Sequence, residues 1–197
     1  MQTTDKSKLA QRKPTRLYGF DYSGCGTYFV TICTQGKKQV LSKVIPLQEA
    51  NTENVGQGLA PADIDLLPCG KIAMEQLKLL ETRFPCVTVY DYVIMPDHIH
   101  IILNIWYEHG TAEASTPQKT QQHFLGTPVS LCPTLSHVVG VFKSLTTRIC
   151  NRYCHKGKLF QSSFYDHIIR NDKDYEKTSE YIANNPQAWL YKQNYCR

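Results

Sequence analysis

His98 and His100 stand two residues apart in the run VIMPDHIHIILNI, Val93 to Ile105, and this spacing is where the chain could first do chemistry. On a β-strand alternate side chains share a face, so both imidazoles would project the same way while Ile99 points opposite, into a core. Two imidazole lone pairs converging from a stiff support are two of the ligands a divalent metal needs. The spacing permits ligation without requiring it, because a His-x-His on a strand also serves as a structural pair. Asp97 is a possible further acidic group, although Pro96-Asp97 equally reads as a turn before the strand. Tyr181 and Asn185 are a second pair of interest: four apart on a helix, they lie on one face. A tyrosine on a helix is more often a core or rim residue and an Asn at a helix end more often a cap, so this pair alone defines no site.

Those residues depend on the elements that carry them. Tyr28 to Thr34, YFVTICT, alternates aromatic and β-branched residues after the turn signal Ser23-Gly24-Cys25-Gly26 and reads as a strand. Ala73, Leu77, Leu80 and Phe84 recur at helical spacing from Lys71 until Pro85 stops the pattern. Val87 to Met95 is a second strand, and after the Pro96-Asp97 turn the strand bearing both histidines runs back beside it, as a hairpin at the centre of a sheet. Val139, Phe142, Leu145, Ile149 and Tyr153 form one stripe of a helix over 136–155. A short strand, Tyr165 to Ile169, follows. The last helix begins at Asn171 or Asp172 and ends where Asn185 precedes Pro186, with Tyr175, Thr178 and Ile182 facing inward.

The order strand, helix, strand, strand, helix, strand is that of an α+β, ferredoxin-like antiparallel sheet with helices on one face, here followed by one additional C-terminal helix. Residues 17–192 form a single domain in this reading, with insertions near 42–68 and 106–133, a basic flexible arm over 1–16 and a tail over 193–197. The 197 residues suffice for one full-sized core.

The net charge of +5, from 22 Lys+Arg against 17 Asp+Glu, is compatible with a polyanionic partner. Lys6, Lys8, Arg12, Lys13 and Arg16 suit either a solvated tail or an arm that follows a nucleic-acid backbone. Lys143, Arg148, Arg152, Lys156 and Lys158 are further candidates for phosphate contacts, although a solvated helix face explains most such charges. Phe160 and Phe164 among them suit base stacking or an edge strand packing its own core. Eight cysteines without a C-x-x-C pair or a signal peptide point to free thiols in a reducing cytoplasm. Cys150, Cys154 and His155 suggest zinc, but Cys150 lies on the apolar stripe and no second pair completes a tetrahedral set. No apolar run approaches the roughly 18 residues of a membrane span.

YFVTICT, YVIMPDHIHIIL, the Phe142-Lys143-Ser144 helix and FYDHIIRNDKDYEKTSEYIANNP with Trp189 after it, in that order, resemble the single-tyrosine HUH transposases, in particular the REP-associated tyrosine transposase branch. The resemblance runs from about Leu17 to Lys192 outside the two insertions. It implies a divalent metal, Mg²⁺ or Mn²⁺, on His98 and His100. It implies Tyr181 as the nucleophile, because Tyr181-Ile182-Ala183-Asn184-Asn185 matches the family's Tyr-Ile-x-x-Gln/Asn context. Asn185 stands where many relatives carry a Gln ligand and is shorter by one methylene.

The implied activity is cleavage and rejoining of single-stranded DNA beside a hairpin, through a 5′-phosphotyrosine. Two other readings stay open: a domesticated relative that binds hairpins without strand transfer, and a metal-dependent nuclease that uses water. Tyr165 and Tyr175 are competing nucleophiles. Whether the tyrosine helix acts within a monomer or between the copies of a homodimer is left undecided.

Overall fold

A computed structural model describes residues 25–46, 62–106 and 133–195. Four antiparallel strands form the main sheet in the order β4-β5-β1-β6, where β1 is Gly26–Cys33, β4 Val87–Ile94, β5 His98–Ile105 and β6 Tyr165–Ile169. Helix α1 (Pro68–Arg83) joins β1 to β4 through the intervening elements, and α2 (Leu135–Tyr153) lies between β5 and β6. These are two interleaved strand-helix-strand units, so the architecture is the ferredoxin-like α+β arrangement expected, with α3 (Asp172–Tyr195) added at the C-terminus. No helix among the described residues is long and apolar enough to cross a membrane.

Alternation along the two central strands produces a sheet that is covered on both faces. Tyr28, Val30 and Ile32 of β1 and Ile99, Ile101, Leu103 and Ile105 of β5 meet Ala73, Leu77 and Leu80 of α1 and Val138, Val139 and Phe142 of α2. On the opposite face Val93, Met95 and Ile102 pack with Ile182, Tyr175 and Trp189 of α3. The polar residues that interest us belong to this second face, where Thr31 pairs in register with His100 and Cys33 with His98.

Four expectations are revised. The histidine hairpin is not central as a whole: β5 is central, but β4 is an edge strand. The stretch 42–68 is not all connection, since β2 (Ser42–Pro46) and β3 (Ala62–Leu66) form a separate two-stranded sheet. Val44 and Ile64 of that ribbon pack against the α3 cluster, which is how a pair of short strands finds enough burial to persist. The buried stripe of α2 is Leu135, Val138, Val139, Phe142, Thr146 and Cys150, while Tyr153 is 73% exposed. A stripe chosen by apolar residues alone had passed over the buried Thr146.

The fourth revision concerns α3, which begins as expected, with Asn171 Oδ1 accepting from the Asp174 N–H at 3.0 Å. It does not end at Asn185, because Pro186 lies inside the helix. Asn185 and Pro186 are both buried, so packing offsets the ladder bond that proline removes. The segments 1–24, 47–61, 107–132 and 196–197, with the basic arm and most of the second insertion, lie outside the described residues.

Helix α1 starts at Pro68, three residues before the expected Lys71, in the position where a missing N–H does no harm. The Leu67 N–H donates to the Leu41 carbonyl at 3.0 Å, bringing two backbones together beside Gly70. A Cβ on Gly70 would stand 1.9 Å from that carbonyl oxygen and 2.9 Å from its carbon. Because the obstacle is main chain, Gly70→Ala should destabilise the fold by about 3 kcal/mol, the upper end for overpacking. Urea denaturation measures this, and an unchanged midpoint would contradict the close approach.

Candidate active site

Asp97, His98 and His100 reach the α3 face of the sheet by different routes. The Pro96-Asp97 turn is fastened to the end of β1: Thr34 donates to the Asp97 carbonyl from its N–H at 2.9 Å and from Oγ1 at 3.0 Å, and the Leu41 N–H donates to the Pro96 carbonyl at 3.1 Å. Asp97 is thus both a turn residue and an acidic member of the site. Its carboxylate lies 2.5 Å from His98 Nδ1 and 3.7 Å from Lys37 Nζ. A carboxylate only accepts, so His98 Nδ1 carries the hydrogen and Nε2 carries the lone pair.

His100 is buried further, on the central strand. Its Nδ1 lies 2.8 Å from Thr31 Oγ1, across the β1–β5 register. When Nδ1–H donates to that hydroxyl, Nε2 is left with a lone pair. His100 Nε2 is buried and has no hydrogen-bond partner among the described residues. An orphaned buried nitrogen costs about 1–3 kcal/mol unless something approaches it.

The two imidazole rings are 4.5 Å apart between centroids. Burial holds both below the ordinary histidine range, His98 against the opposing pull of Asp97, and His100 to about 3 with help from the nearby His98 and Lys37 charges. Both rings are therefore neutral at neutral pH, the state in which an imidazole donates a lone pair.

Helix α3 supplies the rest. Asn185 is buried, and its side chain lies beside the His98 ring. One turn earlier, the Tyr181 ring is 5.2 Å from the His100 ring, and Phe29 supports both, stacked on His100 at 5.1 Å and edge-on to Tyr181 at 6.0 Å. Trp189 approaches His98 at 6.0 Å. Tyr181 is nevertheless 52% exposed, so it borders the neutral imidazoles while remaining open to a large molecule. The donor set of two imidazoles and an amide suits a divalent ion, and the unpartnered His100 Nε2 marks where such an ion fits.

Thr31, Phe29 and Lys37 were not identified from sequence. For the first two a signal existed, since residues 29 and 31 alternate on the strand that must neighbour the histidines. Lys37 follows Gly36 at positive φ in a short turn, and no period announces it.

The two rival tyrosines differ. The Tyr175 hydroxyl donates to Asp91 Oδ2 at 3.0 Å. Tyr165 pairs in register with Thr31, itself opposite His100, so it shares the histidine face two strands away, about 10 Å along the sheet. It is 55% exposed.

The basic candidates lie elsewhere. Lys143, Arg148 and Lys158 line one open cleft between α2 and the segment 158–162, while Arg152 and Lys156 border another at the end of α2. Lys143 is partly engaged, donating to the carbonyls of Ser162 at 2.9 Å and Ser163 at 3.2 Å. Arg12, Lys13 and Arg16 lie outside the described residues.

No protein-family model matches the chain. An uncharacterized protein of Haemophilus influenzae is 28% identical over 198 residues, covering 99% of both chains. Among solved structures, a REP-associated tyrosine transposase bound to a REP hairpin is similar with a TM-score of 0.48 and 18% identity, over 92% of this chain and 74% of that one. A candidate transposase of Deinococcus radiodurans gives 0.38 and 14%, over 89% of this chain and 97% of that one.

Proposed function

We propose that the protein is a metal-dependent strand transferase that cuts and rejoins single-stranded DNA next to hairpins, with Tyr181 as nucleophile. The observation that carries this reading is the exposed Tyr181 ring beside the buried, unpartnered Nε2 of His100. The motif resemblance supplies the substrate class.

His98, His100 and Asn185 would hold a divalent ion, Mg²⁺ or Mn²⁺. Bound there, the ion supplies positive charge to a DNA phosphate and so favours attack on phosphorus. The remaining work belongs to the chain. Asp97 keeps His98 in the tautomer with Nε2 bare, and the Thr31 hydroxyl can accept from His100 Nδ1–H, which leaves Nε2 of His100 bare as well. Tyr181, fixed edgewise against Phe29 and His100, presents its oxygen to the scissile phosphorus. The tyrosine O–P bond forms, the bond from phosphorus to the 3′ oxygen breaks, the phenolic proton goes to solvent and the departing oxygen takes one up. The 5′-phosphotyrosine retains the phosphodiester energy, so a 3′-hydroxyl reverses the step without a nucleotide cofactor. Arg148, Lys158 and the partly engaged Lys143 form one basic cleft for phosphates, and Arg152 and Lys156 another.

The test is a denaturing gel of the protein with labelled single-stranded hairpin DNA and Mn²⁺, with EDTA as control. A metal-dependent shifted band is expected. Cleavage without a band would favour a nuclease that uses water, and binding without cleavage would favour a hairpin-binding module.

Asp97→Asn tests the supporting contact. Asparagine can donate to Nδ1 and so release His98 into the wrong tautomer, and loss of such an orienting partner weakens metal affinity by about 10–100-fold. Calorimetric titration with Mn²⁺ in the absence of DNA measures it. Unchanged affinity would remove Asp97 from the site.

A further inference from the structure

On the opposite side of the sheet, the fold assembles a second ligand set that the strand-transfer reading does not use. Cys150 and Cys154 are one turn apart at the C-terminal end of α2, and the third sulfur comes from Cys69 in the first turn of α1. The three sulfur atoms all lie within 4.8 Å of one another, and Cys69 Sγ is 3.3 Å from Cys154 Sγ. Cys150 and Cys69 are buried, whereas Cys154 is exposed. Sequence spacing shows only the two α2 cysteines, and the missing third ligand arrives from 81 residues away, where Cys150 Sγ also contacts the Cys69 carbonyl.

The geometry points to a binding site for a thiophilic d¹⁰ cation, Zn²⁺ in the first instance, held by Cys69, Cys150 and Cys154. Zinc–sulfur bonds of about 2.3 Å in tetrahedral array put sulfur atoms about 3.8 Å apart, inside the span observed here. Three thiolates reject the hard ions that suit the histidine site, so the two sites select different metals. The position of Cys69 at the N-terminal end of α1 favours a thiolate through the helix dipole, and Arg152 and Lys156 flank Cys154 in the adjoining groove. Without an ion the buried thiols keep their protons: burial pushes Cys69 up to about 11 and Cys150 further still. Binding therefore releases protons to solvent as three S–metal bonds replace S–H bonds. The exposed side of Cys154 leaves the fourth position to water. The ion would clip the start of α1 to the end of α2, the two helices that cover this face.

The proposal stands apart from the strand-transfer reading and is tested apart from it. Full-length protein carrying His98→Asn and His100→Asn, reduced with a phosphine, is titrated with Co²⁺. A sulfur-to-cobalt charge-transfer absorption saturating at one ion per chain is expected, displaced by an equivalent of Zn²⁺. It should be lost in Cys154→Ser, an exposed side chain whose exchange leaves the core intact, and in Cys69→Ser, and should persist in Cys25→Ser. Bound zinc should also raise the thermal midpoint only when all three cysteines are present. No charge-transfer band in folded protein, or one that survives Cys154→Ser, would overturn the site. So would a Cys69–Cys154 disulfide in air-exposed protein whose reduced form binds no cobalt, which would make the pair a redox couple instead.

Discussion

Tyr181→Phe is expected to abolish the covalent protein–DNA adduct while leaving hairpin binding within about twofold of wild type, the range of an exposed substitution without new contacts. Phenylalanine retains the ring that stands against His100 and Phe29 and deletes only the oxygen. Removing a nucleophile lowers turnover by on the order of 10⁴-fold or more, so the denaturing gel should show no band. Tyr175→Phe supplies the contrast. Its hydroxyl donates to Asp91, so its loss should cost about 1 kcal/mol of stability and leave the adduct intact. Tyr165→Phe is the sharper control, because Tyr165 is exposed on the same face as the histidines. A band that survives Tyr181→Phe and disappears in Tyr165→Phe would transfer the role to the strand.

The second large effect is expected at His100. Asparagine there reproduces the place of Nδ1, and so the contact with Thr31, but has no atom where Nε2 stands. His100→Asn should therefore keep the fold and lose metal binding by about 10²-fold or more, beyond the range of orienting residues because a ligand itself is gone. Mn²⁺ calorimetry reads the affinity, and the gel reads the adduct, which should fall in parallel. Wild-type Mn²⁺ affinity in a folded His100→Asn protein would place the ion elsewhere.

How far the sequence disclosed this arrangement depends on the kind of information each residue carries. The β5 strand was legible because alternation is local: His98 and His100 on one face and Ile99 and Ile101 on the other follow from period two. Helix α3 was legible as a face, with Tyr175 and Ile182 inward and Asn171 as cap, but not at its end. The rule that proline breaks helices is a statement of local strain, and the burial of Asn185 and Pro186 outweighs it. The β2–β3 ribbon was missed because its strands have five residues each and borrow their burial from α3. Contacts that join distant parts of the chain, Thr31 with His100 and Cys69 with Cys154, have no local signature. Their partners become neighbours only once the register of the sheet and the pairing of α1 with α2 are known.

The two halves of the candidate site are fastened in different ways. The histidines ride on β5, which is hydrogen-bonded on both edges, whereas α3 meets the sheet and the β2–β3 ribbon through side chains. Undocking α3 would therefore break no rung of the main sheet. It would uncover the imidazoles and withdraw Tyr181 and Asn185 as a unit, a sub-global opening that needs far less free energy than unfolding the domain. A bulky substrate gains a wider entrance of this kind, with the histidine-bearing strand left in place as a template on which the helix can reseat.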